Sequence, residues 1–318
     1  VVTLRWEGPL ELLALSPSLD ALRGGGRLEE LPVSRVRLAD WGTTTPEEIV
    51  VCRVSQEAIE FHCHGGLAAV TRIRNDLLSR GGCVESIDAL FHRTAPLVEA
   101  EFQSALLHAT TERAAALLAA HCGPRLTSEL ASIQSLSDPA AAIERLDAIL
   151  AWEPFARHLT DPWRVVLCGQ PNVGKSSLLN ALAGYGRALI SPQPGTTRDI
   201  VTTAVAFAGL PAELADTAGL RDGGDPIERA GIDRARARQS TADLVLLVLD
   251  RSQALSSVDD SLLKIHPEAL VVAHKCDLPK AWPETLLPGS IPVSSLTGAG
   301  LPELITAIVQ RLAPRFPP

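Results

Sequence analysis

The spacing of apolar positions changes twice along this chain of 318 residues. Up to about residue 93, short apolar runs are separated by turn residues. Residues 49–54 and 58–62 predict strands, because β-branched and aromatic side chains gather there. Residues 67–78 repeat apolar positions at helical spacing, and Gly81-Gly82 follows as a stop. Residues 1–93 therefore predict a small α+β domain. Residues 94–160 are rich in Ala and Leu, with few turn residues. Runs at 106–107, 114–120, 126–136 and 143–150 predict a helical segment packed on itself.

From residue 161 to 318 the pattern becomes strand and helix in alternation, the signature of a mostly parallel sheet flanked by helices. Strands are predicted at 165–167, 201–207, 212–215, 244–249, 270–273 and 291–293. Gly209 is read as the hairpin turn between the second and third. Helices are predicted at 177–183, 227–239, 257–265 and 302–311, with Pro302 suited to a first helical turn. The fold class is α/β, with a small α+β domain and a helical segment in front.

The chemistry begins between the first of these strands and its helix. Gly169-Gln170-Pro171-Asn172-Val173-Gly174-Lys175-Ser176 is a complete G-x-x-x-x-G-K-[ST] phosphate loop. Glycines let successive N–H groups turn inward, and the helix N-terminus adds positive potential. Lys175 is placed to reach β- and γ-phosphates, and the Ser176 hydroxyl to bind Mg2+, with Val173 and Ser177 flanking them. The plain alternative is a Gly-rich turn. Asp216-Thr217-Ala218-Gly219 follows the third strand, so that Asp216 would hold Mg2+ through water and the Gly219 N–H would meet the γ-phosphate. Between them lies Pro194-Gly195-Thr196-Thr197-Arg198-Asp199. Thr197, with Thr196 as alternative, is read as completing the Mg2+ shell while a γ-phosphate is present.

His274-Lys275-Cys276-Asp277 follows the fifth strand and resembles Asn-Lys-x-Asp. The Asp277 carboxylate would accept from the guanine N1–H and exocyclic amine, a pairing adenine lacks. Lys275 belongs to the same loop, and Ser294-Ser295-Leu296 after the sixth strand would offer a backbone N–H to the guanine oxygen. His274 stands where an asparagine usually braces the base loop. Either the imidazole replaces that brace or guanine affinity is weaker.

Five ordered elements describe a translation-factor-type G domain that binds GTP and GDP. In detail they are similar to the MnmE (TrmE) tRNA-modification GTPases. The resemblance rests on the phosphate loop with Ser177-Leu178-Leu179-Asn180-Ala181-Leu182, on Pro194-Gly195-Thr196-Thr197-Arg198-Asp199, and on Asp216-Thr217-Ala218-Gly219-Leu220-Arg221. Upstream, Glu60-Phe61-His62-Cys63-His64-Gly65-Gly66 resembles the Glu-Ile-His-Cys-His-Gly-Gly of the family's folate-binding N-terminal domain. A zinc site at His62, Cys63 and His64 is the competing reading, weakened by the lack of a second ligand pair.

The resemblance implies further roles. Leu220 occupies the position of the water-orienting glutamine of Ras-like enzymes, and Glu228 matches the family's glutamate that acts through a bridging water. A solvated carboxylate at a helix start is the alternative for Glu228. Asn172 matches the residue that holds K+ when two G domains meet. A homodimer through the N-terminal and G domains, and tRNA or a tRNA-modifying partner, are implied as well. Departures weigh against folate and tRNA chemistry. The family's opening Pro-Pro-Gly-Arg-Gly is absent, and its Gly-Glu-Phe-Thr-x-Arg-Ala-Phe stretch is not visible between Val84 and Thr94. The second half of the family's helical domain and its Cys-x-Gly-Lys motif do not follow the last helix.

Composition adds bounds. Net charge is -8, without the basic excess of a wide nucleic-acid surface. The acidic balance keeps a second function class open: a nucleotide-dependent switch or scaffold with slow hydrolysis and no tRNA role. Six cysteines without C-x-x-C spacing read as reduced thiols in a cytoplasmic protein. No membrane contact is expected, since no apolar run approaches a span and the first residues carry charge where a signal peptide is apolar. No methionine occurs, which suggests that residues precede Val1.

Overall fold

The computed structural model describes residues 2–14, 28–42, 45–185, 202–216 and 242–314. It divides into two compact units, residues 1–89 and 90–318.

The first unit is built on four antiparallel strands: β1 (Val2–Glu7), β2 (Val36–Trp41), β3 (Glu47–Arg53) and β4 (Ala58–Cys63). Their order is β1-β4-β3-β2. Strand alternation sends Ile49 and Val51 of β3 and Ile59, Phe61 and Cys63 of β4 into the core. After the short α1 (Glu11–Ala14), helix α2 (Leu67–Ser79) buries Ile73 and Leu77. Trp41 and Phe61 meet edge to face, ring centroids 5.1 Å apart. Residues 49–54, 58–62 and 67–78 therefore fold close to expectation. Strands β1 and β2 were not foreseen. Each lies at an edge of the sheet, and β2 exposes Val36 and Leu38, so no clean alternation marks it.

Helices follow along the chain: α3 (Ile87–Thr94), α4 (Leu97–His108), α5 (Glu112–His121), α6 (Pro124–Gln134), α7 (Pro139–Leu150) and α8 (Glu153–Ala156). Caps fix two of the starts. Thr111 accepts from the Ala114 N–H at 3.1 Å, and Asp138 from the Ala140 N–H at 3.0 Å ahead of Pro139.

Six strands follow: β5 (Trp163–Cys168), β6 (Thr202–Phe207), β7 (Leu210–Asp216), β8 (Leu244–Asp250), β9 (Leu270–His274) and β10 (Ile291–Val293). Their order is β10-β9-β8-β5-β7-β6, with every neighbouring pair parallel except the β6–β7 hairpin. Central strands covered on both faces carry nearly unbroken apolar runs, as Leu244-Val245-Leu246-Leu247-Val248-Leu249 does. The helices among the described residues are α9 (Lys175–Tyr185), α10 (Ser257–Ile265) and α11 (Leu301–Leu312). The helix predicted at 227–239 lies outside the described residues.

The helical segment and the sheet share one core. Leu117 of α5 and Phe155 of α8 pack against the cluster that includes Trp163, Phe207, Leu214 and Leu246. Arg113 of α5 also donates to the Ala208 carbonyl in the β6–β7 turn at 2.6 Å. One such hydrogen bond contributes about 1 kcal/mol, whereas burying a Leu or Phe side chain contributes about 1.5–3 kcal/mol. Apolar contact therefore holds the segment, and Arg113 sets its register on the hairpin.

Register carries the fold to the site. Leu167 pairs with Asp216, Cys168 with Leu247, and Asp250 and Val293 with His274. The carboxyl ends of β5, β7, β8, β9 and β10 thus lie side by side, where ligands bind in open parallel sheets.

Candidate functional site at the carboxyl ends of the strands

The loop after β5 is fixed by close approach to β8. A Cβ on Gly169 would lie 2.3 Å from the Val248 carbonyl oxygen, so no other residue fits there. Asn172 has a left-handed backbone, φ 64°, which asparagine tolerates. Gly174 reverses the chain at φ 100° into α9, whose first turn closes through Leu178 N–H to the Gly174 carbonyl at 2.9 Å. Val173 is buried, whereas Asn172, Ser176 and Ser177 are exposed along the mouth of the loop.

Lys175 is folded into that mouth, 5% exposed. Its Nζ donates to the carbonyls of Gly169 at 2.8 Å and Gln170 at 2.6 Å. Burial lowers its pKa, opposed by the charges of Asp216 and Cys168. A cation desolvated among carbonyls is suited to an anionic ligand. Next to it, the Ser176 hydroxyl donates to Asp216 Oδ2 at 2.7 Å. Register brings Asp216 there from β7. Two hard oxygen donors side by side fit a Mg2+ site that shares its remaining positions with water and phosphate.

The loop after β9 leans on the phosphate loop through two side chains. His274, 3% exposed, has Nδ1 2.8 Å from the Val173 carbonyl and Nε2 3.1 Å from Ser295 Oγ. Burial lowers its pKa. The bond to Val173 opposes this, Lys275 adds to it, and Asp250 and Asp277 oppose it. Lys275, at φ 60°, donates from Nζ to the Asn172 carbonyl at 3.0 Å and to Asp250 Oδ2 at 2.6 Å. Burial pushes the Asp250 carboxyl up, but hydrogen bonds from Lys275 and Ser252 outweigh it and hold the group below the ordinary carboxylate value.

Asp277 is exposed, and a hydrogen bond from the Ser294 hydroxyl is the first cause of its lowered pKa. Ser294 is wholly buried, with its N–H given to Ala299 O at 2.9 Å and its Oγ accepting from Thr297 N–H at 3.2 Å. Asp277 is thereby kept ionised and presented to solvent. The Cys276 N–H to Val293 carbonyl bond, at 3.2 Å, ties this loop to β10.

Gly169, Asn172, Val173, Gly174, Lys175, Ser176, Ser177, Asp216, Lys275, Asp277, Ser294 and Ser295 thus occupy adjoining loops or strand ends on one side of one sheet. Thr196, Thr197, Gly219, Leu220 and Glu228 lie outside the described residues.

Two participants were not named from the sequence. Asp250 receives Lys275, and the only sequence signal for it is an acidic residue closing an apolar strand. Ser256 accepts from Gln170 Nε2 at 2.7 Å, and it also caps α10 in a capping box with Asp259. Nothing in local spacing announces that tie.

In the N-terminal unit, His62 and Cys63 project to opposite sides of β4. Cys63 is buried and its thiol lies 3.7 Å from the Val2 carbonyl, while His62 Nδ1 is 2.8 Å from Thr3 Oγ1. His64 Nδ1 is 3.0 Å from Glu47 Oε1. Among the described residues no group of three His, Cys, Asp or Glu side chains is placed to hold a metal ion. Nor is any helix of the described residues long and apolar enough to cross a membrane.

The chain is also similar to known proteins. Residues 164–275 match the family model described as 50S ribosome-binding GTPase. The tRNA modification GTPase MnmE of Thermus thermophilus is 39% identical over 290 residues, covering 82% of this chain and 66% of that protein. The protein of that name from Parasynechococcus marenigrum is 33% identical over 293 residues, covering 80% and 64%. The chain spans just under two thirds of the length of these relatives. Among solved structures, the G domain of the T. maritima FeoB iron transporter is 28% identical, covering 47% of this chain and 98% of that one, at a TM-score of 0.36.

The buried imidazole has a consequence for stability. Its folded pKa lies below the ordinary 6.5, so in that interval the unfolded chain binds the extra proton. The contribution is complete above 6.5 and is lost as pH falls toward the folded value. Urea midpoints taken between about pH 7 and pH 5 should fall more steeply for the natural protein than for His274→Asn, which has no titrating group there.

Proposed function

The chain belongs to the MnmE-type family of tRNA-modification GTPases, and from that premise we propose that it binds GTP and GDP in the site just described and hydrolyses GTP to GDP and phosphate. The observation that carries the reading is the Lys275 ammonium, which joins the Asn172 carbonyl of the phosphate loop to Asp250 beside the base loop. A phosphate-binding loop and a guanine-reading loop tied at this distance have one common ligand class, a guanine nucleotide.

The residues divide the work as follows. Main-chain N–H groups from Asn172 to Ser177 surround the phosphates, and Lys175 Nζ exchanges its carbonyl partners for β- and γ-phosphate oxygens. Ser176, and Asp216 through water, would hold Mg2+, with Thr197 to complete its shell. Mg2+, when bound, neutralises charge on the β- and γ-phosphates. Asp277 accepts from the guanine N1–H and exocyclic amine, and the backbone N–H of Ser295 meets the guanine oxygen, since that of Ser294 is already given to the Ala299 carbonyl. Glu228 orients the attacking water, since Leu220 has no hydrogen-bonding group. Asn172 would offer an oxygen ligand to K+ beside the phosphates when two G domains pair, the ion would supply positive charge to the developing anion, and the active form would be a homodimer. The protein works in the cytoplasm, with tRNA or a tRNA-modifying protein as partner, as the name of its relatives suggests. No folate site is proposed, because the stretch between Val84 and Thr94 departs from the family.

Three outcomes test this. Asp277→Asn should weaken GTP binding and admit xanthosine triphosphate, and Lys175→Ala should abolish binding or turnover. Binding of GTP by both variants at the natural affinity refutes the site. Glu228→Ala should lower turnover with GTP affinity nearly intact, because water positioning acts in the transition state. A parallel fall in affinity would mark Glu228 as structural. Turnover should be faster in K+ than in matched Na+, should rise per molecule with protein concentration, and should lose its K+ dependence in Asn172→Ala. Identical rates in both salts at every protein concentration exclude the K+ assignment.

A further inference from the structure

The loop that reads the base and the loop that holds phosphate meet at one side chain that differs from the usual asparagine. His274 closes β9, opposite Asp250 of β8 on one side and Val293 of β10 on the other. Its two ring nitrogens reach in different directions. A carbonyl oxygen only accepts, so the 2.8 Å contact to the Val173 carbonyl assigns the ring proton to Nδ1. Nε2 of the neutral ring is then an acceptor, and the Ser295 hydroxyl 3.1 Å away donates to it. Both bonds use the neutral ring once each, with no group left over.

The ring also fills the space that a side chain at position 174 would need. A Cβ on Gly174 would lie 2.4 Å from His274 Cε1 and 2.5 Å from Nδ1. The imidazole therefore abuts the residue immediately before Lys175 and bonds the residue immediately after Ser294. A carboxamide carries its donor and acceptor on one carbon, whereas the imidazole places them on separate ring atoms and spans farther.

We propose that His274 is a positioning residue for the guanine nucleotide: a neutral, Nδ1-protonated strut that fixes the phosphate loop at Val173 and Gly174 to the guanine-binding loop at Ser295. The proposal rests on the guanine-nucleotide reading given above. The strut acts on binding, because it sets the separation between the base contacts and the phosphate contacts before the ligand arrives. It does not touch the reacting atoms. Burial favours the neutral ring the strut needs. The charges facing it are mixed: Lys275 from its own loop disfavours the imidazolium, while Asp250 of β8 and Asp277 of the base loop favour it.

The test measures GDP affinity, GTP turnover and ring 15N resonances on the full chain at pH 7. The natural protein should show His274 protonated on Nδ1 and bare on Nε2. His274→Ala should weaken GDP binding about tenfold, the usual effect of stranding buried hydrogen-bond partners. The KM for GTP should rise by a similar factor, with kcat within about twofold. His274→Asn should recover GDP affinity to within about threefold of natural, because an amide restores one donor and one acceptor. Ser295→Ala, a milder change, should weaken GDP about threefold and shift the Nε2 resonance. An Nε2-protonated ring, an Nε2 resonance indifferent to Ser295→Ala, or folded His274→Ala that binds GDP like the natural protein each overturns the strut. Failure of the natural protein to bind GDP would instead overturn the guanine-nucleotide reading itself.

Discussion

The arrangement depends on how closely the phosphate loop lies against β8. At Gly169 the Val248 carbonyl oxygen occupies the space of a side chain, so the loop leaves β5 in contact with the neighbouring strand. That contact turns the loop back over the sheet and brings the Lys175 ammonium to the carbonyls of Gly169 and Gln170. It also brings Asn172 within reach of Lys275, and Val173 within reach of His274. Gly174 meets the same demand at the other end of the loop, where the imidazole takes the place of a Cβ. Two positions without side chains thus let the phosphate loop meet β8 and the loop after β9.

The two lysines of the site are held differently, and their roles differ accordingly. Lys275 has a carboxylate partner, Asp250, in a 2.6 Å ion pair, and its charge is spent inside the protein. Lys175 has only neutral carbonyls as hydrogen-bond partners and sits where burial disfavours its charge. A phosphate would relieve that cost, while a phosphate near Lys275 would have to compete with Asp250. What each lysine already touches leaves Lys175, rather than Lys275, suited to an anionic ligand.

Much of this was legible in the sequence, for physical reasons that also explain the rest. The strands of the parallel sheet are covered on both faces, so Val165 to Cys168 and Leu244 to Leu249 stand out as apolar runs. The phosphate loop is contiguous, and its chemistry is local. Edge strands β1 and β2 carry no such mark, because one side of each meets solvent and the apolar residues of β2 are partly exposed. Asp250, Ser256 and Arg113 also escaped notice. Each works by touching a partner far away in sequence, Lys275, Gln170 and Ala208 respectively, and no spacing rule reports such a contact. His274 was intermediate: its place in the motif was visible, but whether an imidazole could brace the phosphate loop depended on the distances to Val173 and Ser295.

The central claim is that phosphate and base recognition converge here on one guanine nucleotide. Calorimetric titration of the full chain with GDP and with ADP, in Mg2+ at matched salt, tests it most directly. On the proposed reading Asp277 and the Ser295 backbone would pair with guanine, and adenine would leave the Asp277 carboxylate without its two donors. Loss of such pairing costs discrimination on the order of 10⁴-fold. The account predicts saturable one-to-one binding of GDP and no measurable heat with ADP. Comparable affinity for both nucleotides, or binding of neither, would contradict it.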